Sequence, residues 1–411
     1  MAIRDIDLNL TNEQKNMRDM VRKFGREAVR PAGIALDKMH NPADAIAKGS
    51  VLWDVYKKYR KLGLHKIMIS QAAGGMAEDV DTMSKILVLE EMGYADSGLA
   101  ISLGVDSMPF VLAAFSPDPE VQGWARQFCN DTKCNFIGCW AITEPDHGSD
   151  WITSFSEKTG NPGIIPNVRA VLKGDEYIIN GQKSAWVSNG SIATHANLHV
   201  CLEKSKGVMG SGIAVIPLDL PGISRGKPLD KIGQRPLNQG ELFFDDVRIP
   251  KSWMIISDPE LLKGMGEVIL SQVNGVMGIV FAGLAWAAFD EALQYSKERI
   301  QGGKPIIEHQ NIKLKLFKMF SMVESIRALA RRAFLYNFDN PMPSGPHAVA
   351  SKVLSTEYAF KVASEAVQIF GGCGLSREYL IEKMFRDARS SMIEDGANEI
   401  LSITAIDFMR D

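Results

Sequence analysis

The sequence predicts an α+β protein: an N-terminal helical domain, a middle antiparallel β-barrel or sandwich domain, and a C-terminal helical bundle. Three observations carry that expectation. Apolar residues recur at helical spacing before about residue 135. Between about 136 and 250 short runs alternate apolar and polar residues and are cut by turn signals. Beyond 251 long, strongly apolar helical stretches return. The expected domains are therefore 1–135, 136–250 and 251–411.

The elements follow in order. Thr11 before Asn12-Glu13-Gln14 reads as a helix cap leading to Met17, Met20, Val21 and Phe24 on one face. Met83 to Gly93 predicts a second helix, and Leu99 towards Phe115 a third, which Pro109 is expected to kink or end. In the middle zone Val168, Ala170 and Leu172 alternate with polar residues, Gly174-Asp175 marks a turn, and Asn180-Gly181 predicts a tight hairpin turn. Leu198–Leu202, Ile213–Pro217 and Leu242–Val247 add strands. In the last zone Val276 to Phe289 is apolar on nearly every side, which predicts a buried helix. Ile312, Leu316, Met319, Val323 and Ile326 mark one face of a second helix, and Val349, Val353, Val362 and Val367 a third. Long helices with short connections form a bundle.

Composition narrows the function. The 411 residues carry 46 basic and 49 acidic side chains, a net charge of -3 that argues against nucleic acid as a partner. No uninterrupted apolar run reaches 18 residues, so no membrane span is expected. The acidic start, Arg4-Asp5-Ile6-Asp7, fits neither a secretory signal nor a transit peptide. Five cysteines without CxxC spacing fit a reducing, cytoplasmic setting, and the seven scattered histidines form no metal motif, so no metal is expected.

Four stretches carry chemistry. Cys139 to Asp150 clusters Thr143, Gly148 and Ser149 where a strand ends, offering N–H groups and hydroxyls to a phosphate or a heteroaromatic edge, or making an ordinary turn. In Lys183-Ser184-Ala185-Trp186-Val187-Ser188-Asn189-Gly190, a tryptophan on a strand can cover a planar ring while Ser188 bonds its edge; a core tryptophan is the plainer alternative. Gln368-Ile369-Phe370-Gly371-Gly372-Cys373-Gly374 lets backbone pass close to a ligand, or caps a helix. Glu394-Asp395-Gly396 is either an N-cap or a positioned base beside a turn.

Together, in this order, these stretches resemble the acyl-CoA dehydrogenase family over nearly the whole chain. The matching motifs are Thr-Glu-Pro-x-x-Gly-Ser-Asp, Trp-Val-Ser-Asn-Gly, Lys231-Ile232-Gly233 with Asp246-Val247-Arg248-Ile249-Pro250, and Gln-x-x-Gly-Gly-x-Gly. The resemblance implies FAD bound noncovalently between the β domain and the C-terminal helices. It places Ile142, Thr143, Gly148 and Ser149 along the flavin, Trp186 against its ring system and Ser188 near N5. Arg299 would reach the phosphates of a neighbouring subunit's FAD, with Gln310 in the following Glu-His-Gln stretch, and Gln368 and Gly372 would lie on the adenine side. It further implies a homo-oligomer, usually a tetramer, and an electron-transferring flavoprotein as acceptor. The implied reaction is α,β-dehydrogenation of an acyl-CoA thioester: a carboxylate takes the α-proton and flavin N5 takes the β-hydride.

The chain departs from the family at the base. The usual glutamate is Asp395, the aromatic residue often found before it is Glu394, and the following threonine is Ala397. Intrinsic acidity hardly differs, about 3.9 against 4.3, but one fewer C–C bond withdraws the carboxylate by roughly 1.5 Å. A shortened base suits a bulkier α-carbon, so a cyclic or branched acyl group, of the cyclohexane-carboxyl type, is expected ahead of a linear short- or medium-chain one. A non-redox acyl-CoA lyase and an oxygen-using flavoenzyme are the other readings. Glu394 and Asp106 are alternative bases, Asp106 for a 1,4-elimination on a ring, although a helix-end cap or a solvent-facing acid is its plainer role. Val273 falls near a second base position of some branched-chain members and cannot serve.

Overall fold

The computed structural model describes residues 6, 9–152 and 162–409. Helices come first: α1 (Asn12–Phe24), α2 (Arg30–Lys38), α3 (Pro42–Ile46), α4 (Val51–Lys61), α5 (Thr82–Ala95), α6 (Ser97–Val105), α7 (Met108–Ala113) and α8 (Pro119–Asn130). The cap read at Thr11 is a full capping box: its side chain accepts from Gln14 N, and the Gln14 side chain accepts from Thr11 N. The third expected helix breaks earlier than Pro109. α6 ends at Val105, and Pro109 sits in the first turn of α7, where its missing N–H costs nothing.

The strands are β1 (Gly138–Ala141), β2 (Arg169–Lys173), β3 (Glu176–Lys183), β4 (His195–Cys201), β5 (Ser211–Pro217), β6 (Ile223–Arg225), β7 (Leu242–Pro250) and β8 (Met254–Ile256). They form one eight-stranded sheet in the order β6-β7-β3-β2-β4-β5-β8, with β1 on β4. Pairing is antiparallel except around β4, whose contacts with β1 and β2 run parallel. The hairpin turn lies at Gly174 (φ +62°) and Asp175, between β2 and β3. Asn180-Gly181, expected as a turn, is instead a bulge inside β3: the register against β7 shifts there and Gly181 takes φ +133°. Both signals report a backbone that needs φ > 0, and a bulge meets that need as well as a turn does.

The remaining helices are α9 (Pro259–Glu298), α10 (Gln310–Asp339), α11 (Gly345–Phe370), α12 (Ile381–Ser391) and α13 (Asn398–Phe408), with a small hairpin, β9 (Ile300–Gln301) and β10 (Lys304–Pro305), after α9. The stretch predicted to be buried, Val276 to Phe289, is the middle of α9, packed on α5, α10 and α11. By length and composition part of α9 could cross a bilayer, and 72% of that stretch is buried inside the protein, as a core helix is. α5 and α9 cross at glycines: a Cβ on Gly93 would meet Val280 O at 2.0 Å, and one on Gly283 would meet Glu90 O at 2.2 Å. Glu90 is buried at this crossing and ion-paired to Arg327 (2.8 Å) and Arg331 (2.5 Å) of α10.

Candidate active site

The loop from Met392 to Ala397 joins α12 to α13 and carries Asp395. Asp395 has φ +53° and Gly396 φ +105°. Aspartate is among the few side chains that tolerate the left-handed region, and glycine has no Cβ to clash. Ala397, not either acid, is the N-cap of α13, and it has no side chain to offer. Ser149 holds the cap residue itself: Ala397 N donates to its Oγ at 2.9 Å. On the other side Lys352 of α11, fully buried, donates to Gly396 O (2.7 Å) and to Asn398 Oδ1 (2.8 Å). The loop is thus pinned by its backbone at the two residues that follow the acid.

The Asp395 carboxyl itself takes no hydrogen bond or ion pair among the described residues. It is half-buried, yet surrounded by enough protein that burial pushes its pKa up to about 6 against the pull of Lys352. Burial in turn brings the Lys352 ammonium down to about 8, with Asp395 first among the acids that oppose the shift. Lys352→Met should remove that cation and both hydrogen bonds. We expect the acid limb of the rate to move to higher pH and the maximal rate to fall roughly a hundredfold through misplacement of the loop; stopped-flow rates across pH check both.

Ile142, Thr143, Gly148 and Ser149 follow β1. Lys183, buried at the end of β3, fixes this stretch by donating to Ile142 O (3.0 Å) and to Glu144 Oε1 (2.8 Å), while Glu144 also accepts from Asn167 N and Val168 N. Ser184 N donates to Thr143 O at 2.9 Å. Trp186 lies in a turn just past β3 rather than on a strand, and its indole is 56% exposed. Gln239 ties this turn down, donating to Trp186 O (3.1 Å) and Ser188 Oγ (3.2 Å). Asn189, buried with φ +61°, donates to Ser102 O (2.8 Å) and Gly138 O (3.2 Å), joining the turn to α6 and β1.

Arg299, Gln310, Gln368 and Gly372 form a second, exposed group at the ends of α9 and α11 and the start of α10. Tyr295 of α9 stacks on Phe370 of α11 at 4.0 Å, which brings Arg299 and the glycine turn together. No hydrogen bond among the described residues links this group to Trp186, Ser188 or Asp395. The residues present fit a flavin on one count in particular. An exposed tryptophan, Trp186, and two buried polar atoms with no partner among the described residues, Ser191 Oγ and Asn238 Oδ1, lie on the two short segments that carry Ser188 and Gln239.

Asp106 is neither exposed nor free. It is fully buried at the end of α6, paired with Arg60 at 2.7 Å, and accepts from Gly138 N at 3.2 Å. The sequence points to neither Lys352 nor Gln234, and it places Asn189 in a motif without its bonding role. Lys352 left a signal: a lysine in register with Ala348, Val349, Ser355 and Ala359 on the buried face of α11.

Known proteins resemble this chain along nearly its whole length. Family models match in chain order: the acyl-CoA dehydrogenase N-terminal domain over 11–129, its middle domain over 139–247 and its C-terminal domain over 270–408. A probable acyl-CoA dehydrogenase of Bacillus subtilis is 31% identical, covering 96% of this chain and 97% of its own. A cyclohex-1-ene-1-carbonyl-CoA dehydrogenase of Syntrophus aciditrophicus is 30% identical, covering 97% and 90%. The solved butyryl-CoA dehydrogenase of Megasphaera elsdenii superposes with a TM-score of 0.84 at 26% identity, over 99% of this chain and 100% of that one. With all three domains matched in order and relatives alike from end to end, the chain belongs to the acyl-CoA dehydrogenase family of FAD-dependent oxidoreductases.

Proposed function

We propose that this protein dehydrogenates an alicyclic or branched acyl-CoA thioester, with Asp395 as the base that removes the α-proton. The observation that carries the reading is the unengaged Asp395 carboxyl on a loop pinned by Ser149 and Lys352. A carboxylate tied to a donor would have to break that bond to reach a C–H; this one does not. Burial strengthens it as a base, and at about 6 its pKa still leaves it anionic near neutral pH. FAD, when bound, supplies the hydride acceptor for the β-carbon. Trp186 and Ser188 would hold its ring system, with Ile142, Thr143, Gly148 and Ser149 along it, and Gln368 and Gly372 on the adenine side.

The acyl class rests on reach. Asp395 withdraws the base by roughly 1.5 Å relative to glutamate, and a bulkier α-carbon fills that room. The likeness to an enzyme named for a ring thioester supports the same choice. Arg299, with Gln310 after it, is exposed beside exposed Ile300, Leu314 and Phe317, which suits insertion of Arg299 into a second copy's site in a homo-oligomer, a tetramer in our reading. Electrons would leave to an electron-transferring flavoprotein.

The test is an anaerobic titration of the holoenzyme with linear, branched and alicyclic CoA thioesters, following flavin absorbance. Bleaching by ring or branched thioesters at rates at least roughly tenfold above linear ones is expected, and Asp395→Glu should narrow that ratio. Preference for linear thioesters would overturn the acyl class, and no bleaching with flavin bound would favour a non-redox lyase.

A further inference from the structure

Gln239 is buried in the loop between β6 and β7, and its amide meets three groups. Oε1 accepts from Lys231 Nζ at 2.7 Å. Nε2 donates to Trp186 O at 3.1 Å and to Ser188 Oγ at 3.2 Å. The partners decide which end of the amide is which. An ammonium can only donate, so it faces the amide oxygen; a backbone carbonyl can only accept, so it faces the nitrogen. Burial lowers the Lys231 pKa to about 8, against the pull of Glu394 and Asp387, so the group is still an ammonium near neutral pH. A second hydrogen bond, to Leu237 O at 2.7 Å, holds Lys231 to the same loop.

The two segments are also locked through their backbones. Ser188 and Gln239 form an antiparallel bridge, flanked by Asn189 N donating to Asn238 O (2.8 Å) and Gly240 N donating to Val187 O (3.3 Å). On the other side Leu229 N donates to Gln239 O at 2.8 Å. This arrangement sets the sense of the Ser188 hydroxyl. A hydroxyl has one hydrogen to give and two lone pairs to receive. The amide nitrogen of Gln239 occupies one lone pair, and the amide oxygen, turned to Lys231, offers no acceptor in return. Ser188 is half-buried, and among the described residues no other group takes its hydrogen. That hydrogen is left for whatever lies against the turn.

We propose that Gln239, oriented by Lys231, is a positioning residue that makes Ser188 a hydrogen-bond donor to an acceptor atom on the edge of the flavin ring. This rests on the placement of Ser188 at the flavin. A donor there favours binding of the ring and favours its electron-rich reduced form. Without the Gln239 amide, Trp186 O loses its donor and the Ser188 hydroxyl is free to turn towards that carbonyl, which withdraws the hydrogen from the ring.

The test is a double-mutant cycle on Gln239→Met and Ser188→Ala. It is read as the Kd for FAD, from flavin released as the holoenzyme is diluted, and as the midpoint potential of the bound flavin. Each single variant should weaken FAD binding by about tenfold, the upper range for one neutral hydrogen bond, and lower the potential. In the Ser188→Ala background, Gln239→Met should cost less than about twofold more, because the hydroxyl it orients is gone. A Gln239 that merely steadied the turn would cost the same in both backgrounds, and that result would overturn the inference. Should Gln239→Met fail to fold, Gln239→Glu decides in the same cycle. Its carboxylate pairs with Lys231 and accepts from Ser188, so its loss should shrink once Ser188 is alanine, and an equal loss in both backgrounds would overturn the inference as well. Ser188→Thr keeps the hydroxyl and should keep the parental potential. Parental FAD affinity and potential in Ser188→Ala would instead remove Ser188 from the flavin, and with it the reading beneath.

Discussion

Asp395→Asn is expected to abolish substrate-dependent flavin reduction, by about 10³-fold or more, while leaving the protein folded and yellow. The size follows from removing a general base whose contribution is typically 10²–10⁴-fold, at a position where no other described carboxyl is both unengaged and pinned. The substitution is a clean one. Asparagine tolerates the left-handed backbone of Asp395 (φ +53°) as aspartate does. The loop's anchors, Ser149 Oγ to Ala397 N and Lys352 to Gly396 O, do not involve the side chain being changed. Flavin content and thermal midpoint should therefore match the parent, and the binding of a CoA thioester should persist. Residual reduction near the parental rate would move the proton abstraction to another acid, with Glu394 first in line.

The helices were legible because their signals are local. Val276 to Phe289 and the Leu316, Met319, Val323, Ile326 stripe are buried as their periodicity requires. Asn180-Gly181 misled because a two-residue signal encodes a demand on φ and not the direction in which the chain continues. Asp395 was legible by its place before Gly396, but its chemistry was not. That the carboxyl is unengaged depends on Ser149 and Lys352 taking hold of the loop's backbone instead, and these come from two distant stretches of sequence. The hydrogen bond from the Gln234 amide to Glu394 is equally non-local: Gln234 lies in the loop between β6 and β7, and its own anchor, Asp387, lies on α12. Periodicity reports which face is buried, and it says nothing about which polar groups meet there.

Arg60→Met should give the largest loss of stability of any single change considered, about 3–5 kcal/mol, because it strands a buried carboxylate. Arg60 of α4 is buried and donates to Asp106 Oδ2 and to Phe136 O, both at 2.7 Å, with its guanidinium 4.0 Å above the Phe128 ring. It joins α4 to the end of α6 and to the approach to β1. Burial already raises the Asp106 pKa to about 6 while Arg60 holds it down. Without Arg60 the acid would rise further and become neutral in the folded state. A group whose folded pKa is raised favours folding below its unfolded pKa and loses that contribution as pH climbs through the folded value. The variant's deficit against the parent should therefore be greatest near neutral pH and shrink by about pH 5, as urea unfolding midpoints would record. Adding Asp106→Asn should recover part of the loss near neutral pH, since the stranded charge is gone. The Asp106→Asn protein, once folded, should bleach its flavin with substrate at the parental rate; loss of bleaching in that folded variant would return Asp106 to the chemistry as a second base.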